Sequence, residues 1–334
     1  MAKKAMFLFL AVMIGLAGAV YAGPKEAAEI VKAAEREGKV TLTSSLKDDE
    51  IKPFIKAFQK EYPKIEIVPE REHGSAETLL RELVAGAEVN DVVQVHPDIE
   101  NELIDMGFLG QGNWADFNVV PQLALDQNQT IGAFLHSHAI VFNTKLMKKE
   151  EAPKTWQDML DPKWKGKFVV DTSCNSFLRL VDAWGKEKVL DYASKIGKQK
   201  PQFVRGDTET MTLMAAGDYT LSLGTLLSAA VFTSQKGGPL AWNIPDPVPT
   251  GFIKFAMLKK GKHPNAARVF LGWLGSKGFK LMDDVNPGRS VPFGGTYTDK
   301  LFKGKTLSWT PSRKQLPDRQ EFFSQMLTAL GVPR

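Results

Sequence analysis

Helix and strand patterns alternate along the first third of the chain, and this alternation limits the folds that the sequence can adopt. Apolar residues at helical spacing predict helices at 24–37 and 48–62, and short runs rich in β-branched residues predict strands at 39–43, 65–70 and 91–95. Strands that alternate with helices form a mostly parallel sheet with helices on both faces. In such sheets a ligand binds beyond the carboxyl ends of the strands. The sequence therefore predicts an α/β fold with a binding site at the strand ends.

A second series of strands and helices follows the first, and two extended segments, at 133–143 and 251–258, separate the two series. The 334 residues also exceed the roughly 250 to 300 that one core holds efficiently. We therefore predict two lobes, each a mostly parallel sheet flanked by helices, joined by two hinge crossings. Lobe 1 comprises 23–140 and 251–334, lobe 2 comprises 141–250, and the C-terminal helices are free to pack on both lobes.

The first 22 residues have the three parts of a secretory signal peptide. Lys3 and Lys4 form a basic start, residues 5–20 are apolar, and Val20 and Ala22 supply the small residues that precede a cleavage site. This apolar run is short for a bilayer span of roughly 20 residues. No cysteine stands at the cleavage site, so a lipid anchor is not expected. We predict an exported protein that is free of the membrane.

Charge and cysteine content argue against two further classes of protein. The formal net charge of +5 includes the two lysines of the signal segment, and the remaining excess is spread along the chain without interleaved aromatic residues. This distribution is not that of a nucleic-acid-binding surface, so we expect no nucleic-acid partner. Cys174 is the only cysteine, which excludes an intramolecular disulfide. We expect a monomer whose stability comes from its apolar core.

Several segments, taken in order along the chain, resemble the extracellular solute-binding proteins of ABC importers. The most specific is Trp-Gln-Asp-Met-Leu-Asp-Pro-Lys-Trp-Lys-Gly at 156–166, and the segments at 141–144, 215–219 and 264–274 add to it. The chain is most similar to the ferric-iron-binding-protein-like branch of the type II periplasmic binding proteins. This resemblance implies a two-lobed periplasmic clamp that captures a small solute in its cleft and delivers it to an ABC permease in the inner membrane. It also implies that the protein is not an enzyme.

The resemblance carries an expectation about iron that this sequence does not meet. Iron-binding members of the family usually present two adjacent tyrosines soon after the segment that corresponds to 217–219. Here the pair would fall near Leu227 and Ser228, and no two tyrosines are adjacent anywhere in the chain. Family members without the pair take other solutes, such as phosphorylated or carboxylated organic molecules, phosphonates or polyamines. Binding of ferric iron or another metal stays the alternative.

Small and polar residues at the predicted strand ends and helix starts favour a small anionic organic or phosphorylated solute. Free N–H groups at a helix N-terminus attract anions, and neighbouring hydroxyl groups add further donors. Arg205 would clamp a carboxylate or phosphate, or else form a surface ion pair. Ser75 and Ser173 are also candidates for helix N-caps. The predicted ligand-binding residues are Ser44, Ser45, His73, Gly74, Ser75, His96, His138, Thr172, Ser173, Asn175, Arg205, Thr208 and Thr225.

Histidines and the single cysteine raise the possibility of metal binding or nucleophilic catalysis, which the sequence does not favour. His73, His96, His136 and His138 fall near the predicted mouth of the cleft, but they lack the compact spacing of a zinc motif. We therefore predict neither a bound metal nor a cofactor. Cys174 has no local base, so we interpret it as a semi-buried neighbour of the ligand loop. An enzyme on the same fold and a solute sensor for a membrane receptor are the less favoured functions.

Overall fold

The computed structural model of the protein describes residues 24–71, 76–312 and 315–333, so the predicted signal peptide at 1–22 lies outside the described residues. The helices in this part of the chain are α1 Pro24–Glu37, α2 Asp48–Glu61, α3 Ala76–Val84, α4 Glu100–Asp105, α5 Asn175–Trp184, α6 Lys186–Lys198, α7 Asp207–Ala216, α8 Leu227–Gln235, α9 Pro264–Ser276, α10 Met282–Val285, α11 Tyr297–Leu301 and α12 Arg319–Leu330. The strands are β1 Lys39–Ser44, β2 Glu66–Arg71, β3 Val92–Val95, β4 Ala124–Leu125, β5 Thr130–Leu135, β6 His138–Asn143, β7 Phe168–Asp171, β8 Gln202–Val204, β9 Leu221–Leu226, β10 Leu240–Asn243, β11 Val248–Thr250, β12 Phe252–Met257 and β13 Leu307–Trp309. Short 3-10 turns lie at Trp114–Phe117, Pro121–Leu123, Asp126–Asn128, Asp158–Leu160, Pro162–Trp164, Gly278–Leu281 and Pro287–Arg289.

The first sheet has the strand order β2-β1-β3-β12-β5-β4. β1 runs parallel to β2 and β3, whereas β12 runs antiparallel to β3 and β5. Helix α2 covers this sheet with the apolar face that its sequence predicts. Its Phe54 packs edge-on against Phe134 of β5 at 5.2 Å, and its Phe58 packs against Trp273 of α9 at 5.3 Å between ring centroids. These rings lie in one continuous core.

The second sheet has the strand order β10-β6-β9-β7-β8. β7 runs parallel to β8 and β9, whereas β6 runs antiparallel to β9 and β10. Phe177 of α5 and Tyr192 of α6 fill the core on one face of this sheet. Phe322 and Met326 of the C-terminal helix α12 join the same core, because α12 packs against α6. The last helix of the chain therefore stabilises the second sheet.

The α/β architecture with two sheets is confirmed, but each sheet is mixed where the sequence predicted a mostly parallel one. Strands connected by a helix within one lobe are parallel, as the local pattern requires. The strands that arrive from the other lobe, β6 and β12, need no such crossover helix and run antiparallel to the neighbours on both sides. The single extended segment predicted at 133–143 is in fact two strands, β5 and β6, which belong to different sheets.

Two crossing segments lie side by side between the sheets. The N–H of His136 donates to the carbonyl oxygen of Gly251 at 2.8 Å, and the N–H of Gly251 donates to that of His136 at 3.1 Å. The hydroxyl groups of Ser137 and Thr250 lie 2.7 Å apart. A Cβ atom on Gly251 would clash with the Thr310 hydroxyl and lie 3.2 Å from Nε of Arg179, so only glycine allows this close approach. The pair of crossings forms a narrow, hydrogen-bonded hinge.

The C-terminal part of the chain passes between the sheets once more. β13 pairs with β11 next to the hinge, and α12 then packs on the second lobe. The lobe boundaries at 23–140, 141–250 and 251–334 stay a prediction. Among the helices that the structure describes, none combines the length and the apolar character needed to cross a bilayer.

Candidate binding cleft

Two adjoining cavities lie between the sheets, and both are lined by Asp207 and Leu226. The first, which we call the Arg179 cavity, has a volume of about 290 Å³ and is also lined by Ser45, His138 and Arg179. The second, which we call the Asn286 cavity, has a volume of about 490 Å³ and includes Lys47, Arg205, Ser228 and Asn286 in its lining. Their sizes are those of sites for small organic molecules.

Arg179 is the buried cation of the cleft. It lies on α5 and is only 8% exposed, because the helix buries almost its whole first two turns. Its Nε donates to the hydroxyl of Thr310 at 2.9 Å, and one terminal nitrogen lies 3.3 Å from the ring of His138. Burial lowers the pKa of Arg179 to about 10, which still leaves it charged at neutral pH. No carboxylate among the described residues forms an ion pair with it, so its positive charge in the cavity is offset only at longer range, by Asp207.

The other arginines of the cleft already have carboxylate partners. Arg289 donates its Nε to Glu50 at 2.8 Å, and Arg319 lies 3.2 Å from the carboxylate of Asp98. Each of these pairs joins two residues that lie far apart in the sequence. Their charges are therefore largely balanced before any solute enters, in contrast to that of Arg179.

His136 and His138 are neutral groups beside these arginines. Burial first, and the neighbouring arginine charges second, hold the pKa of both rings well below the usual range. The Nε2 atom of His136 accepts a hydrogen bond from Arg289 at 2.8 Å. A metal cation at these rings would lie next to the two guanidinium groups of Arg179 and Arg289, which repel it. Among the residues that the structure describes, no three His, Cys, Asp or Glu side chains form a cluster suited to a metal ion.

Asp207 begins α7 and separates the two cavities. Its Oδ1 accepts the N–H of Leu226 at 2.7 Å, which ties the start of α7 to the end of β9. Burial raises the pKa of Asp207 to about 6, and the nearby Asp171 carboxylate acts in the same direction. Within the described part of the chain, no hydrogen-bond donor reaches its second oxygen, Oδ2. This oxygen is available to a donor group of a solute.

Asp171 organises the loops that follow β7 and β8. Its Oδ1 accepts the N–H of Gly206 at 2.8 Å and that of Ser173 at 3.2 Å, and the Ser173 hydroxyl donates to Oδ2. The predicted N-cap role of Ser173 is therefore wrong, because its hydroxyl is held by Asp171. The N-cap residue of α5 is Cys174, which has a left-handed backbone with φ of 50° and makes no side-chain cap.

Cys174 is a buried neighbour of the cleft, as the sequence suggested. It is 2% exposed, and its Sγ donates to the carbonyl oxygen of Asp171 at 3.5 Å. Burial and the negative charge of Asp171 raise the pKa of the thiol to about 12. A thiol in this state is protonated at neutral pH and is a poor nucleophile.

We expect the thiol reagent DTNB to label Cys174 in the folded protein on the order of 100-fold more slowly than in the urea-unfolded protein, since thiolate is scarce and access is blocked. The measurement is the absorbance of the released thionitrobenzoate over time, with N-acetylcysteine as the rate standard. Rapid labelling of the native protein would contradict the buried, protonated state.

The predicted ligand-binding residues fall into four groups. The residues that line the Arg179 cavity are Ser45, His96, His138 and Asn175. Arg205 and Thr208 line the Asn286 cavity. Neither cavity includes Ser44, Thr172, Ser173 or Thr225 in its lining. The remaining three, His73, Gly74 and Ser75, lie outside the described residues.

Local hydrogen bonds explain why two of the hydroxyl residues stay out of the cavities. The Ser44 hydroxyl accepts the N–H of Leu46 at 3.1 Å, and Thr225 is fully buried with its hydroxyl against that of Ser222. By contrast, the exposed Ser45 donates from both its N–H, at 3.1 Å, and its hydroxyl, at 2.9 Å, to Oε1 of Gln94. A ligand role for each of these residues stays a prediction.

Sequence reasoning missed Arg179, Asn286 and Arg289. Arg179 had a usable signal, because it stands inside the apolar run Phe-Leu-Arg-Leu-Val at 177–181, where a buried charge needs a function. Asn286 and Arg289 had none, since they meet Glu50 from a position more than 200 residues later in the chain. Only the folded chain brings these groups together.

The positions expected for an iron-binding tyrosine pair begin helix α8. Leu227 is fully buried, and Ser228, at 2% exposure, lines the Asn286 cavity. No tyrosine among the described residues lines either cavity. Neither position therefore supplies a phenol ring to the cleft.

A family model for bacterial extracellular solute-binding proteins matches residues 43–280, which is most of the chain. The chain belongs to the bacterial extracellular solute-binding protein family. A relative from Haemophilus influenzae, itself an uncharacterised protein, is 25% identical over 146 residues, which are 40% of this chain and 42% of the relative. The match therefore spans less than half of that relative.

Solved structures share the fold of this solute-binding protein at low sequence identity. Iron-bound HitA from Pseudomonas aeruginosa has a TM-score of 0.64 at 18% identity, over 87% of this chain and 99% of that one. AfuA from Actinobacillus pleuropneumoniae, solved with fructose-6-phosphate, has a TM-score of 0.68 at 18% identity, over 89% and 100%. The substrate-binding protein of an ABC transporter from Agrobacterium tumefaciens has a TM-score of 0.70 at 17% identity, over 87% and 94%. The two-lobed fold of periplasmic binding proteins is confirmed.

Proposed function

We propose that the protein is the periplasmic binding component of an ABC importer and that it holds a small anionic organic or phosphorylated solute in the cleft between its lobes. The observation that carries this proposal is Arg179, a buried guanidinium group that faces the cleft without a carboxylate partner among the described residues. A buried charge of this kind is costly unless a counter-ion accompanies it. A solute carboxylate or phosphate supplies that counter-ion.

Helix N-termini add to the attraction for an anion. Asn175 at the start of α5 lines the Arg179 cavity, and Asp207 and Ser228 in the first turns of α7 and α8 line the Asn286 cavity. The unpaired N–H groups and the dipole of each helix favour negative charge at these positions. The neutral histidines beside Arg179 can donate or accept hydrogen bonds without changing the charge of the site.

Ferric iron is the weaker candidate for this cleft. The start of α8 carries Leu227 and Ser228 in place of phenolate ligands, and His136 and His138 lie beside arginine charges. AfuA, which was solved with fructose-6-phosphate, offers a precedent within this fold for a phosphorylated solute, whereas HitA offers one for iron. The donors of this chain resemble those expected for the former class of solute.

The partner that we propose is an ABC permease in the inner membrane, which would receive the solute from the closed lobes. Membership of an extracellular solute-binding family supports a periplasmic location and a carrier without enzymatic activity. We further propose that the protein acts as a monomer.

A thermal-shift screen of the mature protein tests the proposed solute class. At a concentration of about 100 Kd a cognate ligand stabilises the folded state by about 2.7 kcal/mol, which should raise the melting temperature by several degrees. We expect organic carboxylates or phosphates to produce this rise, and chelator-treated protein to respond equally. Stabilisation by ferric iron alone would reverse the assignment.

A further inference from the structure

Asn286 lines the cleft and has a buried side-chain oxygen without a hydrogen-bond donor among the described residues. Its side chain is 2% exposed, and its Nδ2 donates to Oε1 of Glu50 at 2.9 Å and to the carbonyl oxygen of Ser228 at 3.3 Å. Because both neighbours are acceptors, the amide can adopt only this orientation, with the nitrogen toward them. Its Oδ1 is buried, and no donor among the described residues reaches it. The wall of the Asn286 cavity therefore contains an acceptor that lacks a donor in the described part of the chain.

Asp207 provides a second acceptor between Asn286 and Arg179. It lines both cavities, and its Oδ2 has no donor within the described part of the chain. A single route through the cleft thus passes a cation at Arg179, a carboxylate oxygen at Asp207 and an amide oxygen at Asn286. An inorganic anion satisfies only the first of these groups, and it leaves most of the two cavities empty.

We propose that the solute is an organic anion with a hydroxylated body, whose charged group contacts Arg179 and whose hydroxyl groups donate to Asp207 Oδ2 and Asn286 Oδ1. This inference rests on the proposed function and specifies the solute class of the same cleft. The charged group is a carboxylate or a phosphate, because a guanidinium group binds both in the same way.

Hydroxyl groups fit the two acceptors better than an ammonium group does. An ammonium group would also donate to Asp207, but it would add a charge to a cavity whose three cations, Lys47, Arg205 and Arg289, are already matched by three carboxylates, those of Glu50, Asp207 and Glu209. The ammonium of Lys47 already covers the ring of Phe232, at 5.0 Å from its centroid, so this aromatic face has a cation. A neutral donor enters such a cavity without disturbing this balance of charge.

Matched pairs of probes test this inference by isothermal titration of the mature protein at pH 7.5. One pair is glycerol 3-phosphate and propyl phosphate, the other is gluconate and hexanoate, and 6-aminohexanoate serves as the ammonium probe. We expect the hydroxylated member of at least one pair to bind at least about tenfold more tightly than its partner, which corresponds to about 1.4 kcal/mol.

Each other outcome overturns the inference in a distinguishable way. Equal affinities within both pairs would overturn it and leave the anion function standing. Tightest binding of 6-aminohexanoate would replace hydroxyl groups with an ammonium group. Absence of binding by every anion, including inorganic phosphate, would overturn both the inference and the proposed function.

Variants of the two acceptors connect the selectivity to the cleft. We expect Asn286→Ala and Asp207→Asn to reduce the affinity ratio of the selective pair to within about threefold, because each variant removes an acceptor of a hydroxyl group. Asn113→Ala, on an exposed turn outside both cavities, should keep the full ratio. Asp207→Asn retains an oxygen for the N–H of Leu226, so it keeps the test valid if Asn286→Ala fails to fold. An unchanged ratio in the variants would contradict the inference.

Discussion

Replacement of Arg179 by methionine is expected to weaken binding of the solute anion by at least about 100-fold, while the free energy of unfolding of the ligand-free protein stays the same or rises. Loss of one partner from a buried charge pair costs about 3 to 5 kcal/mol. The pair of Arg179 and the solute anion exists only in the complex, so this cost appears as a weaker free energy of binding. The ligand-free protein instead loses a buried guanidinium group that has no carboxylate partner among the described residues. Methionine fills similar space without the desolvation cost. Calorimetric titration and urea unfolding measure the two quantities.

Two further variants separate charge from geometry in this prediction. Arg179→Lys keeps the positive charge but loses the planar fork, so an intermediate loss of affinity is expected. Arg268→Met on α9, outside both cavities, should leave affinity unchanged. A different outcome would contradict this prediction: Arg179→Met lowers the free energy of unfolding, yet the variant binds the solute with normal affinity under conditions that keep it folded. The arginine would then have a structural role only.

Replacement of Asp207 by asparagine is expected to raise the free energy of unfolding of the ligand-free protein at pH 7.5 by about 1 to 3 kcal/mol. Burial raises the pKa of this carboxyl from its ordinary value of 3.8 to about 6 in the folded protein. The folded state therefore binds more protons than the unfolded state between these two pH values, and stability falls as the pH rises through this window. The ionised carboxylate at pH 7.5 is a cost that asparagine removes.

The pH dependence of the difference identifies Asp207 as its source. Urea unfolding of the natural protein and of Asp207→Asn should differ most above pH 6 and converge toward pH 4, where the carboxyl is protonated in the folded state. Asp105→Asn, at the exposed end of α4, should show no such difference. A lower stability of Asp207→Asn at every pH would mean that the carboxylate stabilises the fold. A stabilising substitution in a binding site is the usual sign of a residue kept for function.

Local patterns in the sequence predicted most individual elements, because helices and strands depend on neighbours in the chain. The spacing of Ile51, Phe54 and Phe58 places all three on the buried face of α2, and the predicted strand at 39–43 agrees with β1. The break at His136 and Ser137 had no local signal, since both flanking segments are extended and apolar. Only the choice of sheet, which is a tertiary property, divides this segment in two.

The site was predictable only where a single loop supplies the group. Asn175 and Thr208 stand at helix starts that the sequence located, and both line the cleft. Ser173 also precedes a predicted helix start, but its hydroxyl donates to the carboxylate of Asp171, two residues earlier. Asn286 depends on Glu50 and on α8 for its orientation, so no reading of its own neighbourhood could have assigned it.

The bare backbone of Gly251 allows Arg179 to lie directly against the hinge. When two lobes rotate about a hinge, atoms beside the axis move least and atoms far from it move most. The anion contact should thus keep nearly the same geometry in the open and closed forms, whereas the Asn286 cavity, lined by Lys47 after a strand of the first sheet and by Arg205 after a strand of the second, should narrow as the lobes close. Binding would then proceed in a fixed order. The charged group of the solute would contact Arg179 first, and its hydroxylated part would contact the Asn286 cavity as the lobes close.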